Sequence, residues 1–193
     1  AADAQGLERV QRAHRLAIAF EDLDIPLGRS IRIDPESVFR KLVTDGRGGY
    51  CFEQNRLFRD ALGALGFTVR PLLARVWLGQ ADDAPPPPHT HALNLVTLDG
   101  EDWVADAGFG GSYAPPMLLT DGQEVASPDG AIHRLVAQDD GWMLERHGAP
   151  TDPRASGNGW QRQYGFTAEP VAEAALEAAN LYTSTTPDTR FTT

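Results

Sequence analysis

Cysteine and lysine are nearly absent: Cys51 and Lys41 are the only residues of either type among 193. A lone cysteine has no internal disulfide partner, which excludes a disulfide-stapled scaffold and fits a reducing, cytoplasmic compartment. No apolar run approaches the roughly 18 residues of a membrane-spanning helix, and no signal peptide is visible, so a soluble globular chain with no membrane partner is expected. Positive charge is also scarce. The 17 Lys and Arg against 27 Asp and Glu leave a net charge of −10, which argues against broad electrostatic binding of nucleic acid or anionic lipid. Most of the cations precede residue 76, so an anionic ligand has to be held by local arginine or backbone contacts. Oligomeric state is not legible in the sequence.

What is present is enough apolar residue, 41%, to build a substantial core in one large domain or two small ones. The first third reads as helices. Leu7, Val10, His14 and Ile18 keep helical spacing up to Phe20; Asp34-Pro35-Glu36 is a helix start with Asp34 as N-cap, followed by the apolar set Val38, Phe39, Leu42 and Val43. A third helix is expected from Tyr50 or Cys51, with the stripe Phe58, Ala61, Leu62 and Leu65 and with Gly66 as its terminator. From residue 67 the pattern turns to strands: 67–78, 91–98, 103–107, 116–119, 131–137 and 142–146, with Asp-Gly pairs at 99–100, 121–122, 129–130 and 140–141 as turn signals. Pro85 to Pro88 form a stiff loop, and 171–179 reads as a last short helix. The expected fold class is α+β: a helical bundle (1–66), an antiparallel β-barrel or sandwich domain (67–170), and a short helix leading into an interdomain connection (171–193).

Cys51 is the residue with chemical promise. A buried cysteine is usually a small hydrophobe, but Arg47-Gly48-Gly49-Tyr50-Cys51 places this one at a helix N-terminus. There the free N–H groups and the positive dipole end favour a thiolate and are suited to an oxyanion. A thiolate nucleophile needs a base and the base an orienting group. His14 is mid-helix, and His133 and His147 lie in later hairpins as surface or satisfied positions, which leaves His89 and His91. His89-Thr90-His91 as a metal site is disfavoured for want of further ligands. If Asp99-Gly100 is a two-residue turn, paired positions sum to 199, Leu93 faces Asp106, and His91 lies diagonally from Asp106 on the same face. Asp106 otherwise reads as an edge-strand aspartate facing water. Gly108-Phe109-Gly110-Gly111 lets backbone approach a ligand closely but is no phosphate-binding loop.

Taken together, the ordered cysteine, histidine and aspartate, set in Arg47-Gly48-Gly49-Tyr50-Cys51-Phe52-Glu53, Thr90-His91 and Asp106-Ala107-Gly108-Phe109-Gly110, resemble the arylamine N-acetyltransferases. The resemblance extends to 19–24, 74–77 and 182–187. It implies a papain-like Cys-His-Asp arrangement in which Cys51 takes acetyl from acetyl-CoA as a thioester, His91 is the base and Asp106 orients it. Without a metal, the acetyl group then passes to an arylamine, arylhydroxylamine or hydrazine. The resemblance further implies that Phe20 and Phe109 line the acceptor pocket, that Gly108, Gly110 and Tyr182 lie near CoA, and that Arg47 and Glu53 pair to brace the nucleophile helix. Ala19, Asp22, Ala92 and Ala107 depart from the family's usual residues, which unsettles the acceptor's size. Family members also carry an additional N-terminal segment and a third, α/β domain, so the chain reads as shortened at both ends. Two alternatives stand beside this one: an amide synthase that releases a polyketide from an acyl-Cys51, and an inactive fragment or partner-binding module.

Overall fold

The computed structural model describes residues 1–81, 83–148, 159–187 and 189–192; residues 149–158 of the expected β domain and positions 82, 188 and 193 lie outside the described residues. Helix α1 (Ala4–Ala17) starts where the Asp3 carboxylate accepts the Gly6 N–H at 2.6 Å, supplying one of the partners that a helix N-terminus lacks. Asp34 caps α2 (Pro35–Phe39) in the same way through Ser37 N at 3.0 Å, with Pro35 at the first helical position. The helix does not run on regularly to Asp45: it widens into a π-helical turn over Arg40–Thr44. Only Val38 and Leu42 of the expected apolar face are buried, while Phe39 and Val43 are exposed. Helix α3 (Cys51–Ala64) and helix α4 (Glu173–Thr185) complete the set. On α3, Phe58 and Leu62 are buried, but Leu65 is its exposed C-cap. Among the described residues no helix is long and apolar enough to cross a membrane.

Eight strands form one antiparallel sheet: β1 (Thr68–Val76), β2 (His89–Leu98), β3 (Glu101–Ala105), β4 (Met117–Leu118), β5 (Glu124–Ala126), β6 (Ile132–Gln138), β7 (Gly141–His147) and β8 (Trp160–Phe166), in the order β4-β3-β2-β1-β8-β7-β6-β5. Met117 from one end and Leu135 from near the other share a core with Leu72, Leu93, Leu95, Leu144 and Tyr164. The sheet is therefore curled into a nearly closed barrel around that core. Strands β5 and β8 escaped the sequence reading. The run Trp160-Gln161-Arg162-Gln163-Tyr164 is mostly polar, yet it fills the gap between β1 and β7. Two turn assignments also change. Asp121-Gly122 joins β4 to β5, which sit at opposite ends of the sheet order, and the β6–β7 turn closes over Asp139-Asp140. Gly141 is instead the first residue of β7, where a Cβ would stand 2.4 Å from Phe166 O.

The β2–β3 hairpin keeps the register expected of Asp99-Gly100. Asn94 pairs with Ala105 and Leu98 with Glu101, and both turn residues have positive φ. β2 is buried on both faces. Leu93 and Leu95 point into the barrel, whereas Val96 and Leu98 pack with Leu7 of α1 and with Phe58 and Leu62 of α3. A further cluster joins Tyr50, Cys51 and Phe52 to Leu73, Ala92 and Leu176 of α4.

The expected Arg47–Glu53 pair does not form. Glu53 is bonded by Lys41 at 2.7 Å, Lys41 also reaches Asp24 at 2.7 Å, and Arg47 pairs with Glu21 at 2.7 Å and Asp24 at 2.9 Å. Lys41 lies in the π-helical turn, from which it reaches Glu53 on the first turn of α3. Removing Lys41 leaves Asp24 its arginines but strips the buried Glu53 carboxylate of its cation. Lys41→Met should therefore lower unfolding stability by about 3 kcal/mol. Arg29→Ala, at an exposed guanidinium beside the same Asp24, should cost less than about 1 kcal/mol. Urea denaturation of the two variants compares them directly.

Candidate active site

Cys51 opens α3 and is 3% exposed, with its Sγ 3.7 Å from Thr90 O at the start of β2. The turn in front of it is fixed by backbone pairing: Gly49 N donates to Ala19 O and Glu21 N to Gly49 O, both at 3.2 Å. Gln54 Nε2 adds bonds to Ala19 O at 2.8 Å and Gly49 O at 3.1 Å, and its Oε1 takes the ring of buried His14 at 2.6 Å. Burial holds His14 below its ordinary value, so it serves as a neutral donor.

His91 lies on the barrel-facing side of β2, 1% exposed, with Nε2 2.7 Å from Asp106 Oδ2. Asp106 sits one residue past the end of β3 and is buried, so it is not an edge-strand residue facing water. Its Oδ1 accepts from Asn55 Nδ2 at 2.9 Å and from Gly108 N at 2.8 Å. Burial opposes both charges, but the partners prevail. The Asp106 carboxylate, with a further contribution from the Cys51 side chain, raises His91 to about 10; His91, Asn55 and the Gly108 N–H lower Asp106 to about 2. With Nε2 committed to Asp106, the ring nitrogen left for Cys51 is Nδ1. The arrangement is thus a buried histidine–carboxylate pair with the Cys51 side chain against its other side.

Three residues that sequence reasoning missed complete the support. Asn55 is one turn after Cys51 on the same helical face, and this spacing was available as a signal. Its side chain ties Ala92 O at 2.7 Å and Ala107 N at 3.0 Å as well as Asp106. Tyr164, fully buried on the unrecognised strand β8, packs its ring 4.9 Å from that of His91, and burial together with the nearby Asp106 carboxylate raises its hydroxyl well above the ordinary value. Gln11, on α1, accepts Asp106 N at 3.1 Å.

A cleft of about 480 Å³ opens above the thiol, lined by Cys51, His91, Phe20, Gly108, Phe109, Gly110 and Tyr182 together with Val76, Leu78, Pro87 and Phe191. Every expected site residue except Asp106, which stands behind His91, therefore faces one space. The glycines have packing reasons to be there: a Cβ on Gly108 would lie 2.6 Å from Asn55 Nδ2, and one on Gly110 would lie 2.9 Å from the Phe20 ring. Ala92 and Ala107 lie in the core clusters and do not line the cleft, so they do not enlarge it directly. His133 is not at the surface. It is fully buried, with Nε2 3.4 Å from Ser112 Oγ and with Nδ1 lacking a partner among the described residues. Among the described residues, no group of three His, Cys, Asp or Glu side chains has metal-binding geometry.

A family model described as N-acetyltransferase matches residues 3–193. The arylamine N-acetyltransferase of Escherichia coli K12 is 37% identical over 188 residues, covering 96% of this chain and 62% of that protein. Proansamycin X synthase of Amycolatopsis mediterranei is 34% identical over 172 residues, covering 87% of this chain and 62% of that protein. The structure of Mycobacterium marinum arylamine N-acetyltransferase in complex with CoA superposes with a TM-score of 0.87 at 34% identity, covering all of this chain and 70% of that one. The chain belongs to the arylamine N-acetyltransferase family, and it spans a little over three-fifths of the length of the curated relatives named above.

The His91–Asp106 pair gives stability a pH signature. His91 is raised, so its contribution is complete below its ordinary 6.5 and disappears as pH climbs to about 10. Asp106 is lowered, so its contribution is complete above 3.8 and disappears as pH falls to about 2. The melting-temperature gap between the native protein and Asp106→Asn should be widest between those two ordinary values, 3.8 and 6.5, and should narrow steadily toward alkaline pH. Thermal melts across the pH range measure it, and a gap that widens above neutrality contradicts this assignment.

Proposed function

We propose that the protein transfers an acetyl group from acetyl-CoA to the nitrogen of an arylamine, arylhydroxylamine or hydrazine through a thioester on Cys51. The observation that carries this reading is the His91–Asp106 pair, 2.7 Å long and buried, directly beneath the thiol at the floor of an apolar cleft. The Cys51 proton already rests on His91, and the thiolate held beside that imidazolium attacks the acetyl carbonyl carbon of acetyl-CoA. The carbon–sulfur bond to CoA breaks, and the CoA sulfur leaves with the proton held on His91. In the second half the acceptor nitrogen attacks the acetyl-Cys51 carbonyl. The carbon–sulfur bond to Cys51 breaks, and His91 takes and keeps the proton released by nitrogen, which restores the starting thiolate–imidazolium pair. Asp106 keeps the imidazole oriented and stabilises its cationic form throughout. The backbone N–H groups at the start of α3 suit the oxyanion of each tetrahedral intermediate. Phe20 and Phe109 offer the acceptor ring two aromatic walls, and Gly108, Gly110 and Tyr182 form the side assigned to CoA.

A second reading is favoured by the likeness to proansamycin X synthase: the same thiol would carry a polyketide acyl group and release it to an aromatic amine as an amide. The residues would be the same and the acyl donor different.

Incubating the full-length protein with acetyl-CoA should yield acetyl-Cys51 by mass spectrometry, with turnover on adding an aromatic amine or hydrazine. His91→Gln should lower kcat/KM by at least about a hundredfold. Absence of the acetyl adduct, with capture of a longer acyl thioester, would replace the first reading by the second. Rapid, stoichiometric alkylation of Cys51 by iodoacetamide near neutral pH, lost in His91→Gln, is expected under either. An ordinary, slow thiol would leave neither standing.

A further inference from the structure

The chemistry proposed above gives no role to Gln11, a fully buried polar side chain bonded to Asp106 at its centre. Gln11 of α1 is 0% exposed and uses both ends of its amide: Oε1 accepts Asp106 N at 3.1 Å, and Nε2 donates to Ala114 O at 2.7 Å. One turn further along α1, Arg15 Nη1 donates to Phe109 O at 3.1 Å and reaches Ala107 O at 3.4 Å. Four backbone points of a single irregular segment, 106–114, are thereby tied to one helix.

That segment needs such an attachment. β3 ends at Ala105 and β4 begins at Met117, so no ladder sets the backbone between them, and the glycines at 108, 110 and 111 make it intrinsically loose. It nonetheless carries Asp106 and supplies Gly108 to Gly111 to the cleft wall. On the same helix His14 holds Gln54, which holds the turn in front of Cys51. α1 therefore grips both the turn before Cys51 and the loop after Asp106, the two segments that flank the cleft. Glutamine presents both an acceptor and a donor on its two-carbon stem, whereas an ionised glutamate of the same length only accepts. Methionine of the same length presents neither.

We propose that α1 is a strap that sets the geometry of the cleft, with Gln11 a positioning residue for Asp106 and Arg15 a positioning residue for the Phe109 wall. The proposal rests on the acyl-transfer reading given above. Small displacements at such a centre are expensive in rate.

The test compares native full-length protein, Gln11→Met and Arg15→Met by thermal melting, by the pH dependence of Cys51 alkylation with iodoacetamide, and by kcat and KM for an aromatic amine. Gln11→Met should reduce kcat about tenfold to a hundredfold with little change in KM, and should move the alkylation pH profile, because Asp106 no longer holds His91 as firmly. Arg15→Met should raise KM for the amine several-fold and leave the alkylation profile unmoved. A Gln11→Met protein that melts lower yet keeps the native alkylation profile and kcat has lost only structural support, which overturns the positioning role. If that variant fails to fold, Arg15→Met decides: an unchanged KM overturns the strap. Failure of the underlying reading shows separately, in the native protein, as a Cys51 that forms no acyl adduct and reacts as a free thiol, and it takes the positioning role with it.

Discussion

His91 and Asp106 are both removed from water, and each is tolerable there only because the other is charged. Taking two ions into the interior costs several kcal/mol per ion, and the pair repays this only if the geometry is good and the remaining lone pairs are satisfied. Here they are satisfied: Asn55 and the Gly108 N–H take one carboxylate oxygen while His91 takes the other. A pair of apolar residues would fill the same volume at less cost. Its presence in an otherwise apolar barrel beneath a thiol is thus an argument for chemistry and not for stability.

The surrounding structure follows from that constraint. Asn55 must reach two segments of the β2–β3 region at once, which requires α3 to lie directly on that hairpin. The contact is provided by Phe58 and Leu62 packing with Val96 and Leu98. Gly108 must be glycine so that the loop can pass over the backbone of Cys51. The turn before Cys51 is braced independently by the Lys41, Arg47, Glu21, Asp24 and Glu53 network. Two systems, one apolar and hydrogen-bonded, one ionic, thus converge on the first turn of a single helix.

The parts of this that were legible in the sequence are those written in local chemistry. Asp34-Pro35 marked the start of α2. Asp99-Gly100 marked the two-residue turn whose register placed His91 and Asp106 on one face, and Gly49-Tyr50-Cys51 marked the start of α3. The misreadings share a different cause. Arg47 and Glu53 are close in sequence and oppositely charged, but the widened π-helical turn after α2 delivers Lys41 to Glu53 instead, and no local pattern announces that widening. β8 was invisible because its buried positions include Gln163 and Tyr164 amid polar neighbours, a pattern that only the two flanking strands make into a strand.

The sequence by itself determined the family and the candidate site residues Cys51, His91 and Asp106 in their order, because glycine-rich turns, caps and hairpin register act over a few residues and leave a local signature. Tertiary structure alone decided which groups satisfy Asp106. Asn55 of α3 and His91 of β2 meet its carboxylate and Gln11 of α1 its backbone N–H, from segments far apart in the chain, because a buried polar residue leaves hydrogen-bonding capacity that has to be filled from whatever elements the packing brings near. The cleft is likewise a tertiary property: Phe20, Phe109, Tyr182 and Phe191 belong to four separate segments, and only the curl of the sheet against the helices turns them into the walls of one space.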